Sequence, residues 1–270
     1  MLPEQYILLK NLAAGIFLAS IIVILSVKAK FLTKSGAWAT FILAVGIFGF
    51  GGWKWTVPIA TFFVLSSILS KFRKKKNREV DLYFDKTGTR DAFQVFANGG
   101  LGLILVILNL FYSNEILYYF YVAVVASVCA DTWSTEIGTM KKFVTYNICN
   151  FKKVEQGISG GVSLPGFAAA LSGATIIAFS GSFWIEDKLF YFVIILISGF
   201  FGSIMDSLLG ATLQLQYICN VCGKTTERKN HCGKETSFSK GFKFLNNDLV
   251  NFFAGLSGGL FSFILYEIIY

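Results

Sequence analysis

The chain has 270 residues, 54% of them hydrophobic and 17% aromatic against 15% charged, and its apolar runs are long enough to cross a bilayer. That balance excludes an ordinary soluble domain. The net charge of +8 does not point to nucleic acid, because in a membrane chain the position of basic residues matters more than their sum.

Eight spans are predicted in chain order, within a range of seven to nine: Tyr6–Val27, Ala37–Phe50, Trp53–Ser70, Ala92–Tyr112, Ile116–Gly138, Leu164–Phe179, Leu189–Gln214 and Leu249–Ile269. The expected fold is an all-α transmembrane bundle. The first span lacks a basic start and a small-residue cleavage site, so it reads as a retained helix. The second and third form a tight hairpin around Gly49, Gly51 and Gly52. The polar stretches Lys71 to Arg90, Thr139 to Ser163 and Leu215 to Asn246 are loops, which leaves a single membrane domain over 1–270. Within it, the spans before residue 70 are bulky and nearly free of acid, hence peripheral, while residues 90–270 form the functional core. Glycine and alanine in "ANGGLGLIL", "PGFAAALSGA" and "AGLSGGL" let those helices approach closely at the centre.

With eight spans, 21 of the 24 Lys and Arg residues fall on one side, leaving Lys10, Lys54 and Lys188 on the other. This asymmetry directs the basic loops to the cytosol and both termini outward, in what is expected to be the cytoplasmic membrane. The run "KFRKKKNR" at 71–78 is either a topology anchor that attracts anionic lipid or part of a polyphosphate grip. A weak internal echo is also present. Asn98 precedes Asp131 by about the interval that separates Ser172 from Asp206, as in a tandem repeat of hairpins with a site between them.

Ionisable groups inside membrane helices are costly unless paired, solvated or bound to a cation, so each is a site hypothesis. In "VCADTWSTEIG", Asp131, Thr135 and Gly138 share one helix face, and Thr132 and Glu136 the neighbouring one. No Lys or Arg accompanies them in that span. Carboxylates gathered in low dielectric repel one another unless a divalent cation sits among them, and hard oxygen ligands suit Mg²⁺. In "IMDSLLGATLQLQ", Asp206, Ser207 and Gln214 repeat the pattern, with Gly210 permitting close approach. The loop "EQGISGGVSLPG" offers Gly160, Gly161 and Ser163 as a cradle for phosphate oxygens beside a helix start. "NNDLVN" supplies Asn247 and Asp248, either as caps of the last span or as further site groups.

In "CNVCGKTTERKNHCG", Cys219, Cys222, His231 and Cys232 match a closed tetrahedral zinc set, with a redox pair or no role as alternatives. The only histidine of the chain is spent there, so a Ser-His-Asp relay is excluded, and no Walker or dinucleotide signature is present. Carboxylates, amides, hydroxyls and glycines beside basic loops suit a lipid-borne phosphate that meets a nucleoside triphosphate through Mg²⁺.

Taken in order, "RDAFQVFANGG", "ADTWSTEIG", "GISGGVSLPG", "GSIMDSLLGATLQ", the "CxxC…HC" loop and "LNNDLVN" resemble the motifs of an integral-membrane family that includes the plant chloroplast phytyl-phosphate kinase. The resemblance covers about Arg90 to Asn251. It implies a kinase that phosphorylates an isoprenoid monophosphate to the diphosphate with a nucleoside triphosphate, plausibly CTP, in the manner of the polyprenol and dolichol kinases. Carried onto this chain, it implies Asn98, Asp131, Ser134, Glu136, Gly160, Gly161, Ser163, Asp206, Ser207, Gln214, Asn247 and Asp248 as site residues. The roles expected are Asp131, Glu136 and Asp206 for Mg²⁺, Gly160 and Gly161 for phosphate, and Arg90 with Lys152 or Lys153 for its charge. The alternatives are a related nucleotide-dependent lipid enzyme, a transporter or ion-coupled carrier with an intramembrane carboxylate site, and a scaffold.

Overall fold

A computed structural model describes residues 3–77, 79–86 and 88–269, so Arg78 of the basic run lies outside the described residues. Among the described residues, seven helices are long and apolar enough to cross a membrane. They are α1 (Pro3–Lys28), α2 (Lys34–Lys76), α3 (Ala92–Phe111), α4 (Glu115–Gly138), α5 (Leu164–Gly181), α6 (Lys188–Thr212) and α7 (Asn247–Ile269).

The 43 residues of α2 would span about 65 Å if straight, more than twice a hydrocarbon core. The helix reverses at Gly52, where φ is +62° and ψ is −156°, values that favour glycine. Its two ends consequently lie side by side. The Lys71 ammonium sits 5.6 Å from the centre of the Phe31 ring, and Gly99 of α3 packs against both Leu43 and Ile59. The seven helices therefore make eight crossings, with α2 supplying the expected hairpin.

Helix α4 is the axis. Its run from Tyr121 to Ala130 is buried without interruption, because α2, α3, α5, α6 and α7 all pack around it. A helix apolar on every side has no solvent or lipid face to present, which is why this stretch shows no amphipathic period. Small residues set the closest contacts. Gly173 of α5 lies against the Cys129 carbonyl, and Gly202 of α6 and Gly258 of α7 both abut Ser127. Far from the basic loops, Trp55, Tyr118, Tyr121 and Tyr191 form an aromatic cluster whose Tyr118 hydroxyl donates to Gly181 O at 3.0 Å. Helix α1 packs chiefly on α2 and keeps most of its apolar surface exposed, as lipid contact requires.

The second limb of α2 departs from the peripheral role expected for the early spans. Ser66, Ser67, Ser70 and Arg73 are buried, and this limb packs on α4 and α5. The sequence offers no acid there to reveal it, since the acidic partners come from elsewhere in the chain.

The loops are more ordered than their polarity implies. Residues 139–163 carry an antiparallel sheet of order β2-β1-β3, made of β1 (Thr145–Asn147), β2 (Lys153–Val154) and β3 (Gly161–Val162). Residues 213–246 carry β4 (Gln216–Ile218), β5 (Thr225–Thr226) and β8 (Ser237–Lys240) in the order β5-β4-β8, plus the hairpin of β6 (Asn230–His231) and β7 (Lys234–Glu235). Both small sheets sit at the end of the bundle where α2, α4 and α6 finish and α3, α5 and α7 begin.

Candidate functional site

A cavity of about 760 Å³ opens at that end, and its walls come only from the loop-side ends of the helices and from the loops. Among the lining residues are Arg90, Asn98, Asp131, Ser134, Glu136, Gly160, Gly161, Ser163, Asp206, Ser207, Gln214, Asn247 and Asp248. Residues far apart in sequence are thus gathered around one space. Lys152 and Lys153 are not among them: they are exposed beside and on β2, whose outward edge carries them away from the opening.

The carboxyl groups of Asp131 of α4 and Asp206 of α6 adjoin one another in the cavity wall. The Asn251 amide, oriented to satisfy both of its ends, donates to Asp206 Oδ2 at 3.0 Å and to Asn247 O at 3.3 Å. Among the described residues, no Lys or Arg forms an ion pair with either aspartate. Two adjoining carboxyl groups without a basic partner are a costly arrangement in low dielectric, and a divalent cation with oxygen ligands is the group whose charge would offset it. The acidic members of the suspected repeat do meet here. Their companions differ, because Asn98 lines the cavity while Ser172 is exposed and bonds back to Ala168 O.

Glu136 is not free to join that pair. Ser70 Oγ donates to its Oε1 at 2.6 Å and Arg73 Nε to its Oε2 at 2.8 Å. Five positions beyond Asp131, it points about 140° further round the helix, towards α2. Arg73 is buried and also bonds Asp81, so one guanidinium ties α4, α2 and the 79–82 turn together. The expected third Mg²⁺ ligand is instead the counterion of a buried arginine.

Besides Arg73, the cations lining the cavity are Lys86 and Arg90, with Lys229 and Lys243. Lys86 Nζ pairs with Asp91 at 2.9 Å and with Asp248. Burial pulls its ammonium down, but the bonds and charges of Asp248 and Asp91 prevail and hold it above its ordinary value. Asp248 is therefore an ion-pair partner, and Asn246 caps α7, accepting from Leu249 N at 3.1 Å. The Arg90 backbone is pinned by Thr33 N and Phe31 O, while its guanidinium donates to Ser67 Oγ at 2.6 Å and lies 5.8 Å from the Phe62 and Phe63 rings. Among the described residues it belongs to no ion pair.

The glycine-rich loop contributes shape more than donors. Gly160, at φ +80°, lies so close to Ala211 that any side chain would collide with that residue's backbone. Gly161 N–H is spent on Ile158 O at 2.9 Å, which corrects the expectation that it would bind phosphate directly. Ser163 caps α5, accepting from Gly166 N at 3.2 Å, and its hydroxyl sits where α4 and α5 approach through Gly138 and Gly166. Gln214 Nε2 donates to Glu227 Oε1 at 2.7 Å.

Beside the cavity, the ligand atoms of Cys219, Cys222, His231 and Cys232 all lie within 4.8 Å of one another and could hold a metal ion. Gly223 at φ +70° follows the first cysteine pair, and Cys232 and Gly233 at +52° and +73° close the second turn. The backbone N–H of Cys222 draws the Cys219 thiol down to about 6 against the effect of burial, and Val221 N–H, 3.4 Å from the sulfur, assists. A thiolate at neutral pH is the form that binds metal. Three thiolates and one imidazole fill a tetrahedral shell, which suits zinc in a structural role.

The family model for integral membrane protein DUF92 matches residues 17–259, nearly the whole chain. The chain belongs to the DUF92 family. Protein PGR of Arabidopsis thaliana is 30% identical to it over 90% of this chain and 91% of its own length. An uncharacterized membrane protein of Methanocaldococcus jannaschii is 26% identical over 95% and 94%. Protein VTE6, chloroplastic, of Arabidopsis thaliana is 25% identical over 82% of this chain and 61% of its own length. No solved structure matches.

The sequence pattern does not single out several residues of this DUF92 site. Arg73 is hidden in the basic run 71–78 that reads as a topology anchor, Lys86 follows in the same polar loop, and Glu227 lies within "TTERKNHC", where the metal pattern draws all the attention. One signal was available: Glu227 is the only acid between Cys219 and His231, within a loop otherwise basic.

Proposed function

We propose that this DUF92 protein is a membrane phosphotransferase that moves the γ-phosphoryl group of a nucleoside triphosphate, plausibly CTP, to an isoprenoid monophosphate, giving the diphosphate. The observation that carries the reading is the Asp131–Asp206 carboxyl pair, without a basic partner among the described residues, in a cavity that Lys86 and Arg90 also line. The likeness to the chloroplast protein VTE6, and the motifs shared with the phytyl-phosphate kinase family, favour the same class.

A phosphate oxygen of the lipid attacks the γ-phosphorus, the bond to the β,γ-bridging oxygen breaks, and the nucleoside diphosphate leaves with that electron pair. The attacking oxygen is already ionised, so no strong base is required. Asp131 and Asp206 would hold Mg²⁺, which supplies charge neutralisation on the transferred group. Arg90 would leave Ser67, and Lys86 in part Asp91 and Asp248, to meet the polyphosphate. Ser207, Asn98 and Asn247 offer neutral hydrogen bonds around them. The walls at the loop-side ends of the helices suit a headgroup held at the membrane boundary with its chain in lipid.

Purified protein in detergent, incubated with phytyl and other prenyl monophosphates, Mg²⁺ and each labelled triphosphate in turn, tests this. Labelled diphosphate is expected with at least one pair. A folded protein that yields none across the panel rules the reading out. Asp131→Asn and Asp206→Asn should each reduce turnover by at least ~100-fold with expression unchanged.

A further inference from the structure

We propose that Glu227 is a positioning residue through which the Cys/His cluster holds three walls of the cavity in register. Its Oε1 accepts from Ser159 Oγ of the glycine-rich loop and from Gln214 Nε2 at the end of α6, both at 2.7 Å. Its Oε2 accepts from Asp85 N at 3.3 Å, and its own N–H donates to Tyr83 O at 2.9 Å. One side chain thereby joins segments that are otherwise separate in sequence.

The neighbours of Glu227 extend the splint. Thr226 Oγ1 donates to Leu82 O at 3.2 Å and to Tyr83 O at 3.1 Å. Arg228 donates through Nε to Phe84 O at 2.8 Å and through its guanidinium end to Asp81 O at 2.7 Å. Residues 226–228 thus hold the backbone of 81–85, and the next residue is Lys86, the cation that reaches Asp91 and Asp248. Tyr83 adds a cross-tie, since its hydroxyl donates to Glu155 Oε2 at 2.6 Å and receives Lys224 Nζ at 2.9 Å.

What keeps 226–228 there is the Cys/His loop. Thr225 and Thr226 form β5, paired with β4, which leads directly into Cys219, and His231 follows Arg228 by three residues. A few two-residue strands are weak by themselves, so closing the loop with a metal is what makes the splint stiff. A metal that never meets the substrate then sets the position of Lys86, Ser159 and Gln214.

This rests on the phosphotransferase reading only for its kinetic arm. Wild type, Cys222→Ser, Glu227→Ala and Glu227→Gln are purified in detergent and compared for zinc content and for the rate of tryptic cleavage after Lys86. Cys222→Ser should lose zinc and be cut at least ~10-fold faster, and Glu227→Ala should keep its zinc and show a similar rise. Glu227→Gln retains the Oε1 acceptor and should be cut more slowly than Glu227→Ala. With CTP and phytyl phosphate, Glu227→Ala should raise the nucleotide KM by ~10-fold while kcat changes far less. Wild-type cleavage in Glu227→Ala overturns the proposal, as does wild-type cleavage in zinc-free Cys222→Ser. Absence of phosphotransfer by the wild type would remove the proposed function and leave the cleavage comparison to decide this point alone.

Discussion

Burial raises the Glu227 carboxyl above its ordinary value, although hydrogen bonds from Ser159, Asp85 N and Gln214 draw it back. The folded chain therefore retains that proton to higher pH than the unfolded chain. Its contribution to stability is greatest below the ordinary glutamate value and declines as pH rises through the raised one. Glu227→Gln should remove this decline, which thermal unfolding in detergent between about pH 4 and 7 would reveal as a flatter profile. Asp91 has the opposite sign. Burial pushes its carboxyl up, but the Gln94 N–H and the Lys86 ammonium outweigh burial and hold it low. Its stabilising contribution is present above the ordinary aspartate value and is lost as pH falls through the depressed one. Asp91→Ala also removes the capping box of α3 and should cost about 1 kcal/mol or more. The buried pair is a harsher case. Glu136→Gln leaves Arg73 without one of its two carboxylates and should destabilise by roughly 3–5 kcal/mol, a loss that Arg73→Met and Asp81→Asn together with Glu136→Gln should largely restore. If the triple variant were as unstable as the single one, the ion-pair network would not be the cause.

At the scale of elements, the spans were legible because length and apolarity declare them, and the eight expected crossings survive even though α2 is continuous in hydrogen bonding on both sides of Gly52. The hairpin itself was readable from the glycine cluster. What polarity alone concealed was the order within the loops, since two- and three-residue strands have no period to detect. The candidate site divides the same way. Asp131 and Asp206 stood out as acids in apolar helices, whereas the partner of Glu136 could not be chosen from several basic residues without knowing how α2 folds back. Close packing gives a direct test of the helix arrangement. A methyl group on Gly258 would collide with Ser127 Oγ and press on Ser198 O, so Gly258→Ala should cost about 1–3 kcal/mol. Adding Ser127→Ala should recover part of it, and equal stability of Gly258→Ala and the parent would mean that α7 does not sit against α4 and α6 as described.

For the whole molecule, the basic loops and the cavity share one end of the bundle, and we propose from the positive-inside rule that this end faces the cytosol. Cys149 is exposed in that region, whereas Glu186 lies at the opposite end. In right-side-out vesicles an impermeant maleimide should leave Cys149 unlabelled and react with Glu186→Cys placed in a Cys149→Ser background. The reverse pattern would place the cavity outside, where no nucleoside triphosphate pool would serve it.

The Arg73–Glu136 pair also bears on how the chain is made. Arg73 is synthesised well before Glu136, so the second limb of α2 reaches the bilayer while the acid that neutralises it is still to come. Placed in the last turn of its helix, the guanidinium can wait at the lipid surface with its side chain extended towards water, alongside Lys74, Lys75 and Lys76. Docking of α4 then draws it inward. A chain with Glu136 replaced should therefore accumulate as inserted but unassembled helices, which faster degradation by membrane proteases in a pulse-chase would reveal.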